Sequence, residues 1–315
     1  GEILLNLKEY FEDIDGIQRE LNESIKRISF VLSDSTISDI KISFQKLFFA
    51  SKLDQICKSG LRNLIYNKDI ETIEKCAELA RLTDKIKKFA HELSFDFEST
   101  VSNCFKESAK NNPVRESIGY MNLLNQLIEK SFAKHDKMLK EAFRKGFNVM
   151  PDLAARLTAE EVNYVFLHLE IYTTINKTAS ENEYFGNMKF MDNLINLFKF
   201  LNRTDVFEVY HHLLLSHRVL MLKTSTLYAD EMFAKWLREF CGVDYTQRID
   251  TIFVDLHKSS KIIRQFNEEN LKKNNPTPNF FNALVLSQSS WIADKLNFDD
   301  SKIKVPDSIS PLLIQ

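Results

Sequence analysis

The stretch FAKWLREFCGVDYTQRIDTIFVDLHKSSKI, residues 233–262, contains two helical patterns separated by one glycine. On both sides of Gly242, apolar residues recur at steps of three and four, which places them on one face of an α-helix. Glycine readily takes the left-handed backbone conformation that ends many helices, and Thr246 is predicted as the N-cap of the second helix. The stretch therefore predicts two helices joined by a tight turn. Their apolar faces are Met232, Phe233, Trp236, Leu237 and Phe240 in the first, and Ile249, Ile252, Phe253, Leu256 and Ile263 in the second.

The same period extends over nearly the whole chain. Only 7 Gly and 6 Pro occur in 315 residues, which favours long helices over a turn-rich β fold or a repeated βαβ fold. Thr158 and Glu161 have the spacing of a capping box, which predicts a helix start near residue 159. The sequence therefore predicts a mainly α protein. Besides the helix that starts near residue 159, the expected helices are 4–32, 37–50, 52–66, 69–93, 97–109, 114–146, 186–201, 204–223, 228–241 and 246–272.

Charge and composition narrow the classes of partner. The formal net charge is −2 and the pI is near 6.4, so no global field indicates a nucleic acid or an anionic membrane as partner. We find no signal peptide and no apolar run of the roughly 18 residues that a membrane span requires. The 4 cysteines are far apart, which favours reduced thiols over disulfides or a zinc site. These features predict a protein of the cytoplasm or nucleus.

Candidate catalytic and metal-binding residues are few. Cys241 and His257 lie near each other in sequence, but Cys241 ends one helix and His257 is one position off the apolar stripe of the next. We interpret them as structural residues and not as a nucleophile and base. His211, His212 and His217 share a helix, but no carboxylate or thiol lies at helical spacing to complete a metal site. We expect no catalytic residue, no metal and no cofactor.

The last part of the sequence has a different pattern. FFNALVLSQSSW, residues 280–291, is short and apolar and lies between Pro-rich and Ser-rich segments, which predicts a buried β-strand. Residues 298–315 could add one further short extended segment. A two-stranded element is marginally stable and has unpaired edges. Either the sequence stops inside a domain, or another chain supplies strands.

Two stretches together resemble the cullin family, the elongated scaffolds of multi-subunit RING ubiquitin ligases. These are LFKFLNRTDVFEVYHHLLLSHRVL at 197–220 and the quoted stretch at 233–262, and NALVLSQSSW at 282–291 is similar to a strand of the family. The positions that match the family pattern are Asp205, Val206, Phe207, Tyr210, Leu214, Leu215, Arg218, Leu237, Cys241, Gly242, Tyr245, Thr246, Arg248, Ile249, Phe253, Asp255 and Ser259.

The resemblance implies an architecture and partners. Residues 1–157 would be cullin-repeat stalk helices, 158–273 a four-helix bundle, and 274–315 the start of an α/β subdomain. In the family, a RING-box protein adds a strand to that subdomain, and a ubiquitin-conjugating enzyme contacts a basic pair, here His217 and Arg218. Substrate receptors or adaptors would bind a region outside this sequence. The residues expected to receive the RING-box strand are Phe281, Ala283, Leu284, Val285, Leu286 and Trp291.

The expected function follows from the resemblance. A cullin makes no bond itself and holds the RING-box protein, the conjugating enzyme and the substrate on one frame. The alternative is a subunit of a helical tethering or trafficking complex, which would share the stacked bundles but would need no β segment at its end.

Overall fold

The computed structural model describes residues 7–50, 56–57, 60–107, 112–174, 181–220, 227–272, 283–287 and 291. These residues are largely α-helical and none lies in a β-strand, so the mainly α fold class is confirmed and the α/β subdomain is not. The described α-helices are α1 (Leu7–Ile28), α2 (Asp34–Ala50), α3 (Leu61–Tyr66), α4 (Ile70–Leu82), α5 (Ile86–Lys106), α6 (Pro113–Leu127), α7 (Asp136–Phe147), α8 (Pro151–Thr174), α9 (Glu181–Phe198), α10 (Thr204–Leu220), α11 (Leu227–Cys241) and α12 (Val243–Lys272).

The chain divides into two compact units. The first comprises Gly1–Glu161 and Phe185–Phe207, and the second comprises Val162–Tyr184 and Glu208–Gln315. The boundaries between them fall inside α8, α9 and α10.

Aromatic side chains fill the core of the first unit where α5 meets α7. Phe105 and Phe147 are buried and their ring centroids lie 5.4 Å apart, edge to face. A Cβ at Gly146 would lie 2.6 Å from the main-chain oxygen of Glu98, so only glycine permits this approach of the two helices. The Phe-rich composition of the chain thus serves a close-packed helical core.

The helix predicted over 114–146 is interrupted. α6 ends at Leu127, and a π-helical turn (Ile128–Phe132) and a 3-10 turn (Ala133–His135) precede α7. The turn places Phe132 in the core, fully buried and stacked on Phe89 at 6.1 Å. Arg81 donates a 2.6 Å hydrogen bond to the main-chain oxygen of Ser131, a carbonyl at this interruption. Tertiary packing therefore interrupts the helix, although the helical spacing of apolar residues continues in sequence on both sides of residues 128–135.

The helix predicted over 69–93 is also divided, between α4 and α5. Asp84 has a φ of +55°, and the amide of Lys85 bonds to the oxygen of Ala80 at 2.8 Å. This closes α4 and starts α5 at Ile86, so the predicted start at 97 is wrong.

The predicted helix start near 159 is wrong. α8 begins at Pro151, because proline fits the first helical position. Thr158 is buried inside the helix and its hydroxyl donates to the oxygen of Ala154 at 2.7 Å. Glu161 accepts a 2.9 Å hydrogen bond from Nε of Arg115 and does not act in a capping box.

In the second unit, the turn between α11 and α12 is confirmed. Gly242 has a φ of +97° and is the single residue between the two helices. The cap at Thr246 is wrong, because α12 begins at Val243 and Thr246 is buried within its first turns. Of the predicted faces, Met232 and Phe240 are about half exposed. The buried members are Phe233, Leu237, Ile249, Ile252, Phe253 and Leu256.

Candidate functional site

Two polar side chains on one face of α12 hold the segment that follows the helix. Asp255 and Ser259 are four residues apart, a spacing that places both on the same side of a helix. Both are buried, with 5% and 1% of their surface exposed. Buried polar groups on a helix need partners, and the partners of these two side chains are Val285, Ser287 and Trp291. We use the name clamp for Asp255 and Ser259 together with residues 283–287 and Trp291.

Ser259 holds Val285 through the main chain. The amide of Val285 donates to Oγ of Ser259 at 2.8 Å, and Oγ donates back to the oxygen of Val285 at 3.0 Å. A hydroxyl can donate once and accept at the same time, so one side chain satisfies both main-chain groups of Val285.

One carboxylate oxygen of Asp255 accepts three hydrogen bonds. Its Oδ2 accepts from the amide of Ser287 at 2.8 Å, from Oγ of Ser287 at 2.6 Å, and from Nε1 of Trp291 at 2.7 Å. Burial by itself would raise the pKa of Asp255, but these hydrogen bonds and the charge of Lys258 lower that pKa overall. The carboxylate is therefore held in its charged form, and Trp291 is only 4% exposed.

The segment predicted as a β-strand is bound in a different way. The described residues 283–287 form neither helix nor strand, and the hydrogen bonds of Val285 and Ser287 go to side chains of α12. Phe281, also predicted in the strand, lies outside the described residues. The roles of Asp255 and Ser259 were missed from the sequence, where the available signal was a pair of polar residues at helical spacing beside an apolar stripe. Binding of a RING-box strand stays a prediction for Ala283, Leu284, Val285, Leu286 and Trp291.

Cys241 and His257 have different surroundings. Burial raises the pKa of the Cys241 thiol, which is the opposite of what activates a nucleophilic cysteine. The exposed His257 lies 2.9 Å from a carboxylate oxygen of Glu231. Nothing in these contacts makes the two residues a nucleophile and its base.

The pair predicted to contact a conjugating enzyme is split between surface and core. His217 is exposed. The guanidinium of Arg218 is buried, donates to Asp230 and Asn163, and lies 5.0 Å from the centre of the Phe166 ring. His217 is therefore accessible from solvent, whereas Arg218 is held in a buried ion pair. Contact with a conjugating enzyme stays a prediction for both residues.

Two further histidines lie in the core of the second unit. His211 and His212 are buried, and burial with the nearby charge of Arg218 lowers the pKa of His211 to about 3. Among the described residues, no group of three His, Cys, Asp or Glu side chains could hold a metal ion. No described helix has the length and hydropathy of a membrane span.

Comparisons with known proteins place the chain in a family. A family model described as the cullin alpha solenoid domain matches residues 3–263. Mouse Cullin-4A is 22% identical over 300 residues, covering 92% of this chain and 38% of its own length. Schizosaccharomyces pombe Cullin-4 is 24% identical over 323 aligned positions, covering 97% and 40%. Cullin-1 of Dictyostelium discoideum is 22% identical over 291, covering 87% and 37%.

The chain thus spans at most two fifths of the length of these relatives. The family match, in contrast, takes in most of the chain, from residue 3 to residue 263. The chain therefore belongs to the cullin family.

Proposed function

We propose that this chain is a non-catalytic scaffold segment of a cullin-RING E3 ubiquitin ligase. The observation that carries the proposal is the match of residues 3–263 to the cullin solenoid domain. In this role the chain holds a RING-box protein and its ubiquitin-conjugating enzyme in place relative to a substrate. Substrate receptors or adaptors bind a part of the protein outside this sequence.

A scaffold accelerates ubiquitin transfer by geometry. Holding two partners on one frame raises the effective concentration of the substrate lysine near the thioester. The gain is kept only if the frame is stiff. Fully buried aromatic side chains such as Phe89, Phe97 and Phe143 support such stiffness, because close-packed cores deform little.

We further propose how the chain is divided. Residues 1–157 are stalk, 158–273 are the four-helix bundle, and 274–315 begin the α/β subdomain. The RING-box protein adds its strand to the segment at 281–291, and the exposed His217 faces the tail of the conjugating enzyme. A tethering or trafficking subunit is the alternative, and membership of the cullin family supports the ligase scaffold over it.

Copurification tests the proposal. We expect the 315-residue chain, co-expressed with an affinity-tagged RING-box protein, to elute with it as one complex in size exclusion. Replacing Leu284 and Leu286 together by serine should weaken the complex, because both side chains are half-buried in the predicted binding segment. Val243→Ser is the matched control, since Val243 is 67% exposed at the start of α12 and lies far from the segment in sequence.

Two results would contradict the proposal. If the wild-type chain binds no RING-box protein, the ligase scaffold is refuted. If the double Leu284→Ser, Leu286→Ser variant binds as well as the Val243→Ser control, a RING-box contact at 284–286 is refuted even though the complex forms.

A further inference from the structure

We propose that α12 acts as a substitute β-strand: Asp255 and Ser259 occupy one edge of residues 283–287 and so present the opposite edge, at Leu284 and Leu286, to an incoming strand. The inference rests on the proposed function for the identity of the incoming strand. The clamp itself can be tested without it.

The spacing of the two clamp residues fits an extended chain. Four residues of α-helix rise about 6 Å along the axis. Two residues of an extended chain rise about 6.6 Å. Ser259 bonds to Val285 and Asp255 bonds to Ser287, so the earlier residue of the segment meets the later residue of the helix. The segment therefore runs antiparallel to α12 with matching spacing at both contacts.

The pattern of donors and acceptors is that of one strand edge. In an extended chain, the amide and carbonyl of one residue point to the same side, and those of the next residue point to the other side. Val285 directs both groups to Ser259, and Ser287 directs its amide to Asp255. An extended segment bound in this way directs the main-chain groups of Leu284 and Leu286 away from α12.

That outer edge is open within the described structure. No hydrogen bond joins the main chain of Leu284 or Leu286 to another residue of the described ranges. Strand addition uses such a row of main-chain groups for affinity and the flanking side chains for specificity. Because the inner edge is fixed by side chains of a helix, the segment can accept a strand on one side only, in a register set by Ser259 and Asp255. These two residues are therefore positioning residues for the partner.

Hydrogen exchange tests the clamp in the chain alone. In Ser259→Ala, we expect the amide of Val285 to exchange about tenfold faster or more, since two hydrogen bonds to that residue are lost. Ser260→Ala is the matched control, because the hydroxyl of the adjacent and exposed Ser260 donates to the main-chain oxygen of Leu256 on its own helix. Emission of Trp291, read in a Trp236→Phe background, should shift to the red in Asp255→Ala, as the indole loses its acceptor.

Partner binding tests the outer edge. Leu286→Pro removes the outward amide while Leu286→Ala keeps it. Copurification with a RING-box protein should therefore fail for the proline variant and persist for the alanine variant. Exchange at Val285 should stay slow in both. Ser259→Ala should weaken binding and Ser260→Ala should not.

These experiments distinguish a failure of the clamp from a failure of the outer-edge assignment. Equal exchange at Val285 in the Ser259→Ala and Ser260→Ala variants overturns the clamp whatever the protein binds. Equal partner binding by the two Leu286 variants overturns the assignment of the outer edge. If the wild-type chain binds no RING-box protein, both the proposed function and the outer-edge assignment fail, and the exchange data still decide whether the clamp exists.

Discussion

Replacing Asp230 by asparagine should destabilise the second unit strongly, because it leaves a buried charge without its counter-ion. Asp230 and Arg218 form an ion pair with 1% and 3% of their side chains exposed. Arg218 also donates to Asn163 and lies over the Phe166 ring, so its guanidinium is fixed in the core. It cannot move to water when Asp230 is neutralised.

The expected loss of unfolding free energy is large. Removing one partner of a buried ion pair costs about 3–5 kcal/mol, whereas removing one partner of an exposed pair costs about 0–1 kcal/mol. Glu231→Gln is the matched control, because Glu231 is the next residue on α11 and pairs with the largely exposed His257. With a urea m-value of about 2 kcal/mol/M, a loss of about 4 kcal/mol lowers the unfolding midpoint by about 2 M.

Tryptophan fluorescence during urea unfolding is the assay. The chain has 2 tryptophans, Trp236 and Trp291, and both belong to the second unit, so the signal reports that unit. Equal midpoints for Asp230→Asn and Glu231→Gln would refute the argument. The double replacement of Arg218 by Met and Asp230 by Leu should recover most of the lost stability, because it removes both buried charges.

Two further predictions concern α12. Phe253→Ala should lower the free energy of unfolding by about 3–5 kcal/mol, because Phe253 is only 7% exposed and its truncation leaves a cavity. An unchanged thermal midpoint would show that this side chain does not pack in the core. The clamp should also depend on pH. Since the folded state lowers the pKa of Asp255, its contribution is present above the ordinary carboxyl pKa of about 3.9 and is lost as the pH falls through the lowered value. Emission of Trp291 in the Trp236→Phe background should shift to the red on acidification, and a shift that persists unchanged in Asp255→Asn would refute Asp255 as its cause.

Periodicity alone predicted the mainly α class and the turn at Gly242, because these depend on local spacing and on backbone sterics. It did not predict the interruption at 128–135, where the apolar stripe continues in sequence and the position of Phe132 is decided by Phe89 on another helix. Thr158 and Thr246 show a second limit. Their hydroxyls find acceptors on their own helices: Thr158 donates to the oxygen of Ala154, and Thr246 lies 3.0 Å from the carboxylate of Asp250 and 3.3 Å from the oxygen of Val243. The residue type that favours a cap therefore also fits the interior of a helix.

The clamp was predictable only in part. The composition of residues 280–291 predicts an apolar segment that is buried, but it also predicts another strand as the partner of that segment. The partner is a helix, and a pair of polar residues four positions apart on a helix carries no signal for what it binds until the fold brings the segment to it.

The position of Phe253 two residues before Asp255 has a mechanical consequence. The side-chain tips of α12 lie about 5–6 Å from its axis, so rolling the helix by about 10° would displace the Asp255 carboxylate by about 1 Å. That is enough to lengthen a 2.8 Å hydrogen bond beyond a useful distance. Volume changes among the hydrophobic residues beneath α12 would therefore alter the hydrogen bonds of Asp255 to Ser287 and Trp291.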